Sequence, residues 1–232
     1  MKDVIIACDF DSAEQTLLFL DKFRKSKPFV KIGMELFYSA GPDIVHRIKE
    51  RGHRIFLDLK LHDIPNTVRK TMKVLSHLDV DMCNLHAAGG SEMMKYAVEG
   101  LTREDDSRPI LLAVTQLTST SGEMLHDELL ISSSMQETIL AYARNAKRSG
   151  LDGIVCSPLE SELIHKEVGE DFVTVTPGIR FADNETADQV RVTTPAKARL
   201  LGSDYIVVGR PITKADDPVA VYDRCCREFC GE

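Results

Sequence analysis

Eight short apolar runs alternate with helix-forming segments along this chain, and this alternation limits the folds that it can adopt. The runs are rich in Val, Ile and Leu and begin at residues 4, 29, 54, 82, 110, 153, 172 and 205. Each is long enough for a β-strand that is buried on both faces, as strands of parallel sheets are. The sequence therefore predicts eight parallel strands connected through helices.

Helix start signals lie between the runs. Ser12 is followed three residues later by Gln, as in a capping box, Pro65 suits the first position of a helix, and Thr194 precedes a proline as an N-cap. Eight strand–helix units match a minimal (β/α)₈ barrel, whereas an open doubly wound sheet usually has fewer strands and a glycine-rich nucleotide motif. We therefore predict an α/β protein in which residues 1–232 form a single (β/α)₈ TIM barrel domain.

Composition and charge restrict the location and the ligands of the protein. The net charge is −7 at pH 7, which argues against a broad nucleic-acid-binding surface. The first apolar run stops at Asp9 and is too short for a signal peptide or a membrane span. Cys8, Cys83 and Cys156 lie inside strand runs, where reduced thiols act as small apolar groups. We expect a cytoplasmic protein that contacts neither membranes nor nucleic acid.

Charged residues end or follow the first three runs. Asp9 ends the first, Lys31 lies near the end of the second, and Asp58, Lys60 and Asp63 end or follow the third. TIM barrels place their active sites at these carboxyl ends. Because Asp58 and Lys60 are two apart on a strand, their side chains point to the same face. A single buried pair of this kind would more often be a structural salt bridge, but two lysines and two aspartates at one mouth predict catalysis, with a protonated Lys60 as proton donor.

The loops after the seventh and eighth runs carry residues suited to phosphate. Barrel enzymes commonly bind phosphate at these two loops. Here Gly178 and Gly209 permit close approach of the backbone, and Arg180 or Arg210 can hold phosphate oxygens through a guanidinium group. We therefore predict a phosphate site at this end of the barrel.

Two connections on the same face are long and polar. They comprise residues 116–134, after the fifth run, and residues 178–193, after the seventh. Long loops at the carboxyl-terminal face of a barrel are candidate lids.

The segment Asp58–Val68, with the sequence DLKLHDIPNTV, resembles the signature of the orotidine 5′-phosphate decarboxylase family. Further matching pieces occur in order over nearly the full length of the chain. They are VIIACD ending at Asp9, VKIG around Lys31, LTS at 117–119, TPGIR at 176–180, DQ at 188–189 and VGRPI at 208–212. The chain is most similar to the compact bacterial branch of this family.

The resemblance implies that the chain binds orotidine monophosphate with residues from several strand ends. Ribose hydroxyl groups would contact Asp9 and Lys31, and Thr118 would lie near the base or the lid. The phosphate and its wall would be formed by residues of the loops after strands seven and eight, namely Pro177, Arg180, Gln189, Gly209 and Arg210.

The resemblance also implies a homodimer with the active sites at the subunit interface. Asp63, Ile64 and Thr67 of one subunit would complete the site of the other. Asp63 would thereby join a charged catalytic array with Lys31, Asp58 and Lys60.

The activity that the resemblance implies is the decarboxylation of orotidine 5′-monophosphate to uridine 5′-monophosphate in de novo pyrimidine synthesis. The carboxylate at C6 would leave as carbon dioxide, and Lys60 would stabilise and then protonate the C6 carbanion. Asp58 would crowd the departing carboxylate. No metal ion and no organic cofactor is implied.

Two other hypotheses fit part of the pattern. Related barrels with a similar Asp-x-Lys-x-x-Asp pattern use magnesium to act on sugar phosphates, as decarboxylases or aldolases. Lys31 and Lys60 argue against that chemistry, because they add positive charge where a hard cation would bind. A non-catalytic barrel that binds a phosphorylated ligand is the second hypothesis, since a fold does not establish a function.

Overall fold

All eight apolar runs form parallel strands, which close into one barrel in sequence order, with β8 paired to β1. The computed structural model describes residues 2–181 and 193–231. The prediction of a (β/α)₈ barrel is confirmed. The strands are β1 (Asp3–Ala7), β2 (Phe29–Gly33), β3 (Ile55–Leu61), β4 (Met82–His86), β5 (Ile110–Val114), β6 (Gly153–Val155), β7 (Val173–Thr176) and β8 (Tyr205–Val208).

Helices connect the strands and begin where the sequence signals predict. Ser12 Oγ accepts a hydrogen bond from the backbone three residues on, Pro65 opens its helix, and Thr194 Oγ1 caps another. The helices are α1 (Ala13–Leu20), α2 (Met34–Ala40), α3 (Asp43–Lys49), α4 (Pro65–Ser76), α5 (Gly90–Leu101), α6 (Met135–Arg148), α7 (Ser161–Val168), α8 (Pro195–Leu200), α9 (Arg210–Thr213) and α10 (Pro218–Cys230). Within the described ranges, none is both long and apolar enough to cross a lipid bilayer.

The hydrophobic core has two layers, because successive strand residues point alternately into and out of the barrel. The larger layer fills the space between the strands and the helices. A smaller cluster fills the barrel itself and consists of Ile5, Ala7, Phe29, Phe56, Met82, Leu112, Val175 and Val207. Two residues beyond Phe29, Phe56 and Met82, the next inward positions are polar, so the apolar filling gives way to charge near the carboxyl ends.

Aspartates join neighbouring strands at the opposite, amino-terminal end of the barrel. One aspartate directly precedes each of β4, β6 and β8, and its carboxylate accepts a backbone N–H from the start of the preceding strand. The hydrogen bonds are 2.7 Å from Ile55 to Asp81, 2.7 Å from Leu111 to Asp152 and 2.8 Å from Thr174 to Asp204. Each carboxylate also binds a basic side chain, for example Arg108 at Asp152. This end of the barrel is therefore held by charge-assisted hydrogen bonds.

The connection after β7 is closed at its base. Thr193 donates to the backbone oxygen of Gly178 at 3.0 Å and accepts from the backbone of Arg180 at 2.9 Å. Residues 182–192, which include most of the second candidate lid, lie outside the described residues. That residues 1–232 form a single domain stays a prediction. In the first candidate lid, the π-helical turn Met124–Glu128 interrupts the loop.

Candidate active site

A cavity of about 580 Å³ opens at the carboxyl ends of the strands. It brings together most of the predicted site residues, which come from six different strand ends. These are Asp9, Lys31, Asp58, Lys60, Thr118, Pro177, Arg180, Gly209 and Arg210. A larger and more open groove of about 890 Å³ lies between α4 and α5, and its lining includes none of the predicted site residues.

Three ion pairs join four charged side chains into one chain across the cavity. Lys31 Nζ lies 2.9 Å from Asp9 Oδ1 and 3.3 Å from Asp58 Oδ2. Lys60 Nζ lies 2.7 Å from Asp58 Oδ1. Asp58 thus binds one lysine through each of its carboxylate oxygens, as expected if Asp58 and Lys60 share a face of β3.

The pairing keeps Lys31 and Asp58 charged although both are buried. Burial alone would lower the pKa of Lys31, but Asp58 and Asp9 outweigh this effect and the pKa is raised. Burial alone would raise the pKa of Asp58, but Lys31 and Lys60 outweigh it and the pKa is lowered. The cavity therefore contains a fixed array of opposite charges. The electrostatic interactions between these charges are stronger than in water, because buried surroundings have a low dielectric constant.

The backbone at Lys60 has an unusual conformation. Its φ angle is +50°, in the left-handed region, which costs a residue with a side chain about 1–3 kcal/mol. The register between β3 and β4 shifts between Leu57 and Leu61. Strained backbone of this kind clusters at functional sites.

Asn84, a residue that the sequence analysis did not select, holds this segment. Its Nδ2 donates to Asp58 Oδ1 at 2.7 Å, and its Oδ1 accepts from the backbone N–H of Lys60 at 2.8 Å. Asn84 is 1% exposed. The available signal was a lone amide at an inward position of an apolar strand run.

Backbone conformation and a lysine distinguish the predicted phosphate end of the cavity. Gly178 has a φ of +84°, a conformation that favours glycine, whereas Gly209 has an ordinary φ of −104°. Lys214, which the sequence analysis did not select, lines the cavity together with Arg180 and Arg210. This end is therefore cationic and suited to an anionic group.

Another part of the cavity wall is formed by the segment around Thr118. It includes three residues that the sequence analysis did not select as site residues, namely Gln116, Leu117 and Ser119.

The remaining predicted residues do not line this cavity in the described part of the chain. Asp63, Ile64 and Thr67 are exposed at the start of α4, and the Ile64 side chain is 68% exposed. Asp63 Oδ1 accepts the backbone N–H of Ile64 at 2.7 Å. Gln189 lies outside the described residues. Contributions of these four residues to a site stay predictions.

The chain is similar to known proteins over nearly its full length. The profile of the family described as "Orotidine 5'-phosphate decarboxylase / HUMPS family" matches residues 2–225. The chain is 57% identical over 231 residues to the orotidine 5'-phosphate decarboxylase of Geobacillus sp. (strain WCH70), covering 98% of this chain and 97% of that protein. It is 57% identical over 227 residues to the enzyme of the same name from Staphylococcus saprophyticus, covering 98% of both chains.

Two solved structures have a fold similar to that of this chain. The fold is similar to the crystal structure of orotidine 5'-phosphate decarboxylase from Lactobacillus acidophilus, with a TM-score of 0.88 and 46% identity over 99% of both chains. It is also similar to the structure of an uncharacterized conserved protein from Geobacillus kaustophilus, with a TM-score of 0.87, 49% identity, and coverage of 97% of this chain and 99% of that one. The chain therefore belongs to the orotidine 5′-phosphate decarboxylase / HUMPS family.

Proposed function

We propose that this protein decarboxylates orotidine 5′-monophosphate to uridine 5′-monophosphate and carbon dioxide, a step of pyrimidine biosynthesis. The observation that carries the proposal is the continuous ion-paired chain from Asp9 through Lys31 and Asp58 to Lys60 in the cavity. The relatives at 57% identity, which carry the name of this enzyme, support it.

The cavity can hold the two ends of such a substrate in a defined order. Arg210 and Arg180 would bind the phosphate, with the backbone at Gly209 beside them. Asp9 and Lys31 would bind ribose hydroxyl groups, which places the base towards Lys60. Binding energy from the phosphate, which does not react, can then be used to orient and desolvate the reacting carbon.

The remaining predicted residues complete the substrate site. Thr118 would lie near the base, and Pro177 would form part of the phosphate wall. Gln189 would contact the phosphate from the connection after β7.

In the proposed reaction the bond between C6 and the carboxylate breaks, and its electron pair stays on C6. The Lys60 ammonium stabilises this carbanion electrostatically and donates a proton to it, which gives uridine monophosphate. The neutral Lys60 amine then takes up a proton from water. Asp58 Oδ1 binds Lys60 Nζ at 2.7 Å and holds the ammonium in place. The negative charge of Asp58 would lie beside the carboxylate that leaves.

The contacts of Asp58 also bear on the magnesium-dependent hypothesis. Both oxygens of Asp58 are bound, one by Lys31 and the other by Lys60 and Asn84. A hard cation prefers several free oxygen ligands, so this carboxylate favours a reaction without magnesium.

The proposal is tested by the absorbance of orotidine monophosphate after addition of purified protein and excess EDTA. We expect conversion to uridine monophosphate at the same rate with EDTA and with added magnesium. Activity that requires magnesium and accepts sugar phosphates instead would favour the aldolase-type hypothesis. Binding of uridine monophosphate without any turnover would favour a non-catalytic barrel.

We also propose that the protein is a homodimer in which Asp63, Ile64 and Thr67 complete the partner's site. The three residues are exposed. In the sequence they follow shortly after β3, the strand that carries Asp58 and Lys60. In such a dimer the second subunit would cover Ile64, which is 68% exposed in the single chain.

A cytoplasmic location is a further part of the proposal. All six cysteines are reduced thiols, and four of them, Cys8, Cys83, Cys156 and Cys225, are buried. Reduced, buried thiols are typical of proteins that fold and work in a reducing compartment.

A further inference from the structure

Inside the barrel, the neutral polar side chain of Asn84 contacts both proposed catalytic residues of β3, Asp58 and Lys60. Asn84 lies on β4, two residues beyond the apolar Met82, and is 1% exposed. Its amide nitrogen binds Asp58 and its amide oxygen binds the Lys60 backbone. Each end of this amide therefore has a partner in the array.

The shift in strand register explains why the Lys60 backbone uses a side-chain partner. Leu57 pairs with Cys83 and Leu61 pairs with Leu85, so residues 58–60 of β3 lie opposite Asn84 alone. Lys60 adopts a φ of +50° within this bulge. The Asn84 oxygen accepts the Lys60 N–H at 2.8 Å, in place of a backbone carbonyl of β4. The side chain thereby stabilises the conformation that directs Lys60 into the cavity.

The amide also suits the charge of Asp58. Asp58 Oδ1 receives Lys60 Nζ at 2.7 Å and Asn84 Nδ2 at 2.7 Å, and Oδ2 faces Lys31 at 3.3 Å. An amide donates to the carboxylate without adding charge. An alanine would leave the Lys60 N–H without this acceptor and would remove the neutral donor to Asp58. An aspartate would replace that donor with a second negative charge.

We propose that Asn84 is a positioning residue that sets the backbone conformation of Lys60 and the orientation of Asp58. This inference rests on the proposed decarboxylase function. Asn84 is not among the described residues that line the cavity, so it acts through its two neighbours. Its loss should reduce kcat and leave KM nearly unchanged.

The test measures kcat, KM and thermal stability for the parent, Asn84→Ala and the nearly isosteric Asn84→Asp. We expect kcat to fall about a hundredfold in both variants, as for small misplacements of catalytic groups, with KM within about threefold of the parent. The matched control is Cys83→Ala, which removes a fully buried thiol that packs outside the barrel from the same strand. It should lose stability and keep the parent kcat.

The pH profile of kcat adds a readout that destabilisation alone would not change. The charged and titratable groups around Asp58 are Lys31 on β2 with Asp9 beyond β1, Lys60 on β3 and, farther away, His86 on β4. In Asn84→Asp the new carboxylate lies beside Asp58, and the pair should retain a proton at higher pH. The acidic limb of the profile should therefore move to higher pH in Asn84→Asp and stay in place in Cys83→Ala.

The outcomes separate this inference from the function on which it rests. Folded Asn84 variants with the kcat and pH profile of the parent would overturn the positioning role while the function stands. If Asn84→Ala does not fold, Asn84→Asp decides alone. Absence of turnover by the parent would reject the proposed function, and this inference with it.

Discussion

The burial of His53 predicts that the stability of the barrel depends on pH. His53 is 1% exposed, and its Nδ1 donates to the backbone oxygen of Pro28 at 2.9 Å. Its Nε2 has no hydrogen-bond partner within the described residues. Burial lowers the pKa of His53; the Pro28 carbonyl and Asp21 oppose this shift, whereas Lys27 and Arg51 add to it. The folded chain therefore favours the neutral imidazole.

We expect the free energy of unfolding to decrease as the pH falls below about 6.5, the usual pKa of histidine. Below that value the unfolded chain binds a proton at His53 more readily than the folded chain does, whereas above it this contribution is constant. Urea unfolding at pH values on either side of 6.5 measures the effect. In His53→Gln this part of the pH dependence should be absent, and an unchanged pH dependence would contradict the explanation.

At the scale of residues, the site residues that could be predicted from the sequence were those whose charge interrupts an apolar run. Asp58 and Lys60 stood out because charged residues interrupt an apolar run, and their ion pair confirms that they share a face. Asn84 and Lys214 did not, since a neutral amide in a strand and a lysine in a helical segment are common. Asp63 was selected because it is a charged residue that follows the same run. Its assignment to the other subunit's site came from the family resemblance alone, because such a contribution leaves no trace in strand periodicity.

At the scale of elements, the amino-terminal end of the barrel provides stability and the carboxyl-terminal end provides chemistry. The aspartates before β4, β6 and β8 each bind a neighbouring strand and a basic side chain. None of the three lines the cavity. Stability and activity should therefore respond separately to substitutions at the two ends.

Substitution Asp152→Ala tests this separation. It removes the acceptor of the Leu111 N–H and the partner of Arg108, and we expect a loss of about 1–3 kcal/mol in the free energy of unfolding. The kcat of the folded variant should equal that of the parent. Chemical denaturation measures the free energy of unfolding. Glu170→Ala is the control for the loss of a negative charge, because Glu170 is exposed and lies shortly before β7 in the sequence. A parent-like stability would show that the carboxylate contributes little.

The strands and the starts of several helices followed from local patterns, but the register shift in β3 did not. Apolar periodicity reports which residues are buried, and both a regular strand and the bulged β3 keep Asp58 and Lys60 inside the barrel. The bulge depends on the side chain of Asn84 in the next strand, which is a contact distant in sequence. Local pattern therefore predicted the element and missed its irregularity.

At the scale of the whole molecule, a shared active site makes a quantitative prediction about mixed dimers. Lys60→Ala and Asp63→Ala should each be nearly inactive alone. A mixed dimer contains one site with both substitutions and one intact site. After exchange of subunits in an equal mixture, activity should recover to roughly a quarter of the parent value, since random pairing makes half of the dimers mixed.

Sedimentation of the parent at assay concentration provides the control for this experiment, because recovery requires dimers. Recovery of activity without any dimer would point to contamination by active enzyme. A stable dimer whose equal mixture stays inactive would show that Asp63 serves its own subunit.

The central claim is that Lys60 supplies the proton for a decarboxylation that needs no metal. The most direct measurement is the rate of orotidine monophosphate consumption by the parent and by Lys60→Ala in excess EDTA, with uridine monophosphate binding measured for both. We predict turnover by the parent, at least about a hundredfold less by the variant, and retained binding by the variant through Arg210 and the rest of the phosphate end. Equal turnover by the two proteins, or no turnover by the parent, would contradict the claim.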